Sequence, residues 1–516
     1  MSQLPQSARL RFFSLLPGIL LGLFIILYII AISLLHAIRL AHFMDGFDLA
    51  FYQQAIWNTS QGRFLQVSAT DFSGSLLGTD VILIYALMAP FYLVAPSPMT
   101  LLVVETVVVA LGAIPVYFLA RERIGSAWAG LSLGLVYLLL PVVENGNLYE
   151  LRERPMAGSF LLWAFWFWYR RKLAWFIIFA ALALCCRPEN GFVLVMLGVY
   201  GWLADRQARR KGKPQDRVME RRFIWTPIIL GIAWFGAALL VIRAATTGGS
   251  FALGSTFAGG SPVSALFTPF VDPVKGFQQL FPNGDILLGK LLYIPLLLLP
   301  LAFLPLWRPL PLLMALPPVG LNLLAAQNRS IQWDALDYHY QPSVIPWLLV
   351  ATIFALAAFK ENPPGLFKSL GNRLIPALCA VLVGLVIIIN LWVNIAPPDA
   401  AYWPRVSNGW GRILRAKEDG RWASGKALLS QVPDDAPLAI SNTWAPYVKT
   451  RQGLWLWLKR PLYSLHPDQD ARYIFADVRD PKSEEAIMVN EVLATGKWRK
   501  QDEAAGYVLL VRTSGS

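Results

Sequence analysis

Charge is what this chain has least of. Only 15% of its 516 residues are Asp, Glu, Lys or Arg, against 56% hydrophobic residues. A soluble domain carries about 25% charged residues, so a water-facing globule of this length is excluded. Cysteine is almost absent as well. Cys185, Cys186 and Cys379 lie in or beside apolar runs and make neither a disulfide framework nor a metal-ligand spacing. Also missing are a GxGxxG after a strand, a complete Walker loop and an HExxH. Their absence argues against chemistry driven by ATP on this chain.

What is present is apolar and concentrated. The runs 15–35, 225–241, 287–306 and 374–391 carry essentially no charge. About 20 such residues as helix cross roughly 30 Å of hydrocarbon. An isolated strand cannot satisfy its backbone in lipid, so helix is the viable form. The first run is too long for the apolar core of a signal peptide and lacks a small-residue cleavage site before His36, so it reads as a retained anchor.

The net charge of +13 is placed as in a membrane protein, which excludes a nucleic-acid partner. Arg9 and Arg11, Arg121 and Arg123, Arg170 to Lys172, the eight basic residues of 205–222, Arg308, and Lys360, Lys368 and Arg373 mark cytoplasmic loops. The segment 81–95 is short, contains Pro90 and ends in Pro96-Ser97-Pro98. Counting it as a span would invert every later loop, so it reads as an interfacial or re-entrant helix on the outer side. The expected spans are then 14–36, 99–120, 127–143, 157–170, 173–186, 190–204, 224–243, 288–306, 309–325, 342–359 and 374–395, about eleven in all. The amino terminus is expected in the cytoplasm, in an inner (cytoplasmic) membrane.

Past residue 396 the composition changes. Residues 399–516 hold 17 Lys and Arg and 14 Asp and Glu. Short apolar strands at 438–441, 473–478 and 507–512 alternate with amphipathic helices at 410–418 and 484–494. The organisation is thus an all-α polytopic bundle over 1–395 and a small extracytoplasmic α/β domain over 396–516, periplasmic or extracellular.

The outer loops hold the polar groups. In the first, apolar spacing predicts a helix with Asp48 as its N-cap. Asp45 and Asp48 are either a loop acid and a cap, or one of them is a general base. In the second loop, Glu150, Arg152, Glu153 and Arg154 are either an exposed, charge-paired helix or part of a site. Arg187-Pro188-Glu189 sits between two apolar runs and must face a polar pocket; an arginine fork there suits a lipid phosphate. Asp337-Tyr338-His339-Tyr340 is polar and aromatic, and His339 is more readily structural than catalytic. Glu105, within a span, must be paired or face the bundle interior.

Several stretches together resemble the DUF2079 family of predicted membrane proteins. They are Phe47-Asp48-Leu49 with Gln54-Ala55-Ile56-Trp57-Asn58-Thr59 and Gly62-Arg63-Phe64, then Met88-Ala89-Pro90-Phe91-Tyr92, His339-Tyr340, and Ser441-Asn442-Thr443 with Pro446-Tyr447 and Arg451. That family is similar to the glycosyltransferase C (GT-C) superfamily of polyprenyl-phosphate-sugar-dependent glycosyltransferases. The resemblance implies a GT-C-like bundle with interfacial helices in the first outer loop. It places the catalytic base on Asp48, with Asp45 the nearby alternative, and the donor phosphate on Arg187 with Arg152 or Arg154. Asp80, Glu150, Glu189, His339 and Tyr338 would bind substrate, and Asp80 and Glu189 are candidates for a divalent metal. The implied partners are membrane lipid, a lipid-linked sugar and a glycan, lipid or protein acceptor. The chain departs from the family where Gly78-Thr79-Asp80 stands for Gly-Asp-His and Arg154-Pro155 for His-Pro. A lipid-linked saccharide transporter and a membrane assembly protein are the other function classes.

Overall fold

The computed structural model describes residues 6–68, 74–78, 80–210, 220–245, 268, 270–281, 283–325, 336, 339–395, 409–457 and 470–513. Backbone contacts divide the chain into two units. One comprises Met1–Ser33, Glu105–Ala238 and Leu253–Arg412; the other comprises Leu34–Val104, Leu239–Ala252 and Ile413–Ser516.

Among the described residues, five helical stretches are long and apolar enough to cross a membrane: Leu15–Ala41, Pro98–Ile124, Arg221–Ala245, Gly284–Leu301 and Gly365–Ile395. A sixth is the pair Ala127–Leu139 and Pro141–Leu148, bent by 44°. Pro141 opens the second half of that pair, where its missing N–H and ring break the ladder. In chain order the helices used below are α1 (Gln6–Ala41), α2 (Phe47–Ser60), α3 (Ile84–Val94), α4 (Pro98–Leu111), α5 (Ala113–Ile124), α6 (Ala127–Leu139), α7 (Pro141–Leu148), α8 (Glu153–Tyr169), α9 (Leu173–Cys186), α10 (Asn190–Arg210) and α11 (Arg221–Ala245).

The first unit is helical. Its tightest neighbours are hairpins: α5 turns into α6 at Gly125, which takes a left-handed φ of 69°, and Ser126 caps α6 by accepting the Ala129 N–H. Expected spans 288–306 and 309–325 do not form two full helices. After Leu298 the chain runs through 3-10 turns at Leu299–Leu301, Leu304–Trp307 and Leu310–Ala315 before a short helix, α12 (Leu316–Leu323). Prolines 300, 305, 309 and 311 remove the donors an α-ladder needs, and Ala302 and Phe303 reverse the chain at positive φ. Next come α13 (Ile345–Glu361) and α14 (Leu374–Ile395).

The second unit joins the first loop to the C-terminal segment. Its sheet contains β1 (Leu438–Ile440), β2 (Leu454–Leu456), β3 (Tyr473–Asp477), β4 (Trp498–Ala504) and β5 (Tyr507–Arg512) in the order β2-β1-β3-β5-β4. The first three are parallel; β5 pairs antiparallel with both β3 and β4. Two helices, α15 (Trp422–Leu429) and α16 (Glu484–Ala494), accompany the sheet. One face is closed by Ala439, Ile474, Val508 and Leu510 packed with Met488 and Val489 of α16.

Candidate functional site

Within the first unit, the second loop and the α9–α10 turn bring opposite charges together under burial. Glu153 opens α8 ahead of its apolar stretch and is fully buried; Arg187 Nε donates to its carboxylate. Arg154 pairs with Glu189 at 3.0 Å and lies 3.8 Å from Glu153. The Arg152 backbone N–H donates to Glu105 Oε2 at 3.2 Å, so the intramembrane carboxyl of α4 faces inward. Burial alone would raise the Glu153 carboxyl, but Arg187, then Arg154 and Arg152, hold it well below the usual range. The second loop is therefore no exposed helix: Glu150 takes a φ of 45°, and Arg152 and Glu153 are buried.

His339 lies in the same cluster. Its ring packs against Tyr149 at 4.7 Å and Tyr340 at 4.4 Å, and it is 2% exposed. Burial, then the charges of Arg152, Arg154 and Arg187, push its pKa well below the ordinary histidine value. The arginines also use these rings, Arg152 over Tyr149 and Arg154 over Tyr340, each at 5.1 Å. Tyr338 lies outside the described residues.

A small recess opens beside this cluster. Arg154, Glu189, Asn190, Asn322 and Ser343 line it together with the apolar Val193, Pro318 and Leu321. Its polar side chains are held in place: Ser343 Oγ donates to Asn190 Oδ1 at 3.2 Å, and Asn322 Nδ2 donates to Gln341 Oε1 and Tyr293 OH, both at 2.9 Å. Sequence alone assigned no role to Asn322 or Ser343, and it named Asn190 only as the last residue of the Arg187 turn. The available signal was polar amides interrupting apolar runs.

The second unit holds Asp45, Asp48 and Asp80. Asp45 is 1% exposed and its Oδ1 accepts from Arg39 Nε at 3.0 Å. Burial raises its pKa, and Arg39 opposes that shift. Asp48 is half-buried in the first turn of α2, but it is not the N-cap. The helix begins one residue earlier, at Phe47, and the cap position is Gly46, which has no side-chain oxygen to offer. Asp80 is half-buried, with its backbone N–H on Leu76 O. Among the described residues, no three His, Cys, Asp or Glu side chains gather as metal ligands.

A family profile described as "Predicted membrane protein (DUF2079)" matches residues 39–509. The chain belongs to the DUF2079 family. No curated protein matches the sequence. Among solved structures, the crystal structure of ArnT from Cupriavidus metallidurans bound to undecaprenyl phosphate is similar, with a TM-score of 0.53 and 12% identity over 95% of this chain and 98% of that one. At this identity the likeness is one of fold.

The residues that carry the DUF2079 resemblance tie the first loop to the sheet domain. Gln54 Nε2 donates to Arg451 O at 2.8 Å and Gln452 O at 2.9 Å, while Gln53 Nε2 donates to Thr450 Oγ1 and Tyr92 OH, both at 2.9 Å. Asn58 Nδ2 donates to Gln66 O at 2.8 Å, and Ser68 Oγ donates to Leu454 O of edge strand β2 at 2.6 Å. Asn442 Oδ1 accepts the Phe47 N–H at 3.1 Å. In this DUF2079 chain, much of the motif therefore builds a scaffold around α2, and Asp48 is the acid it carries in its first turn.

Proposed function

We propose that this protein is a membrane glycosyltransferase that moves a sugar from a polyprenyl-phosphate donor to an acceptor outside the cytoplasm, with residues 1–395 forming the membrane part and 396–516 an extracytoplasmic domain. The observation that carries this reading is the fold likeness, over 95% of the chain, to ArnT bound to undecaprenyl phosphate. The recess lends support because its lining combines apolar side chains, which suit a prenyl chain, with polar ones, which suit a head group. A donor activated on a lipid needs no nucleotide-binding fold, and the sequence carries no such motif.

In this mechanism the acceptor hydroxyl attacks the anomeric carbon and Asp48 takes its proton. The bond from sugar to phosphate oxygen breaks, and the electron pair leaves on the polyprenyl phosphate. Arg187, Arg152 and Arg154 stabilise the leaving phosphate, a role worth several kcal/mol where water is scarce. Arg154 is the arginine best placed to exchange partners. Its pair with Glu189 is partly exposed at the recess, whereas the Glu153 side chain paired with Arg187 is 0% exposed. Asp80, Glu150, Glu189 and His339 orient sugar hydroxyls.

The test is to incubate the purified protein with a panel of undecaprenyl-phosphate-linked sugars and measure released undecaprenyl phosphate. The wild type is expected to turn over at least one donor. Asp48→Asn should lower turnover about 10²- to 10⁴-fold while donor binding persists. An Asp48→Asn protein as fast as wild type removes the base assignment. A wild type that moves lipid-linked saccharide across a vesicle bilayer without releasing the carrier makes the protein a transporter.

A further inference from the structure

The helix bearing Asp48 is held from its own unit's C-terminal segment. An α-helix leaves its first backbone N–H groups without internal partners, and a side chain at the N-cap normally accepts one of them. Here the N-cap is Gly46, and the acceptor comes from nearly 400 residues away: Asn442 Oδ1 takes the Phe47 N–H, one residue before Asp48.

Asn442 stands on a rigid base. It follows Ser441, whose backbone N–H donates to Phe475 O of β3 at 2.9 Å and whose hydroxyl donates to Glu485 Oε1 at 2.9 Å. Glu485 Oε2 also accepts the Asp477 N–H at 2.9 Å, which locks the turn to the carboxyl ends of parallel strands β1 and β3. Trp444, in the same turn, packs so closely on Gly425 that a Cβ there would lie 2.3 Å from its ring.

The approach to α2 is clamped as well. Phe43 adopts a φ of 52° and inserts its ring among Trp422, Trp444 and Tyr447, with centroids 4.6, 4.7 and 4.1 Å away. A phenylalanine keeps a left-handed backbone only where its surroundings over-determine it. Seven residues beyond Phe47, Gln54 is fixed to Arg451 O and Gln452 O.

We infer that Asn442 is a positioning residue for Asp48: by capping α2 from the sheet domain, it fixes the first turn that carries the carboxylate. This rests on the transferase reading for the role of Asp48, but not for the capping itself. Asn442 is exposed, so its replacement opens no cavity and leaves the domain folded.

The experiment compares wild type, Asn442→Ala and Asn442→Asp in the full-length protein. It uses amide hydrogen exchange of residues 47–50 and steady-state turnover of the active undecaprenyl-phosphate sugar. Asn442→Ala should speed first-turn exchange about tenfold, while β1 and β3 keep their protection. It should lower kcat on the order of tenfold with donor KM unchanged, because a misplaced group costs rate more than binding. Asn442→Asp, which restores an acceptor, should recover both. In an Asp48→Asn background, Asn442→Ala should cost nothing further. Unchanged exchange at 47–50 in Asn442→Ala overturns the proposal, as does a kcat loss that Asn442→Asp does not repair. If the wild type turns over no donor, the transferase reading fails and the exchange result alone decides the capping role.

Discussion

Glu485 shows what one carboxyl can impose on the sheet domain. It accepts from Ser441 Oγ and the Asp477 N–H, and burial lifts its pKa from 4.5 to about 7 despite those bonds. The folded state therefore prefers the protonated acid. Its stabilising contribution is complete below about pH 4.5 and is lost as pH rises through 7, an effect on the order of 3 kcal/mol. Glu485→Gln imitates the neutral form and should flatten this dependence. Tryptophan fluorescence can follow the unfolding midpoint between pH 4.5 and 8, since Trp457 Nε1 donates to Glu485 O at 3.3 Å. Wild-type and variant midpoints that fall in parallel would show that Glu485 is not the titrating group. Buried charge in the first unit is organised differently: Arg187 and Glu153 are both ionised and paired, with Arg154 3.8 Å from the same carboxylate.

At the scale of elements, α10 and α11 meet backbone to backbone. A Cβ on Gly191 would lie 2.6 Å from Gly231 O, one on Gly231 only 2.2 Å from Gly191 O, and one on Gly198 would meet Ile224 O at 2.5 Å. Small residues permit this approach where apolar burial gives helices no preference for one another over lipid. Gly231→Leu should push the helices apart and destabilise the protein by about 1–3 kcal/mol. The displacement would fall on Asn190, which precedes Gly191 and bonds Ser343 at the recess. The expected result is a lower unfolding midpoint in detergent together with weaker binding of undecaprenyl phosphate; an unchanged midpoint would show that the crossing tolerates a side chain. Elements like these differ in how far the sequence announces them. Apolar runs such as 15–35 and 225–241 declare themselves because hydropathy is local. The segment 81–95 contains only the 11-residue α3, about 16 Å long and too short to span. Hydropathy found the helix Gly284–Leu298 within the expected span 288–306, but it carried helix on through 299–315, because it weighs Pro300, Pro305 and Pro311 by polarity rather than by their lost donors. Three-residue β2 and charged edge strand β4, with its exposed Arg499 and Lys500, lack the continuous apolar run that marked β3 and β5.

For the whole molecule, the least legible feature was which segments fold together. Nothing local in Gln54 indicates that its amide ends on Arg451 and Gln452, and the cap of α2 lies 395 residues from Phe47. Asp48 was misread as its own cap because a sequence window sees only the near acceptor. The charge of the second loop was legible as a site but not as a set of pairs, since Arg187 and Glu153 meet only once α8 and α9 fold back on each other. Loop one and the C-terminal segment should therefore resist proteolysis jointly. With residues 413–516 deleted, Phe43 loses Trp422, Trp444 and Tyr447, Gln54 loses both carbonyls, and Ser68 loses its bond to Leu454. The bonds that remain are local, such as Arg63 Nε to Asn58 Oδ1 at 2.8 Å and Gln53 Nε2 to Tyr92 OH of α3 at 2.9 Å. Limited trypsin digestion followed by mass mapping should find Arg63 cut at least tenfold faster in the truncated protein, because cleavage tracks the population of the opened loop. The basic loops 121–123 and 170–172 serve as internal references: their cleavage should not change. Equal rates at Arg63 in both proteins would mean that loop one is held by its own contacts, and that the bonds across 395 residues add nothing to its order.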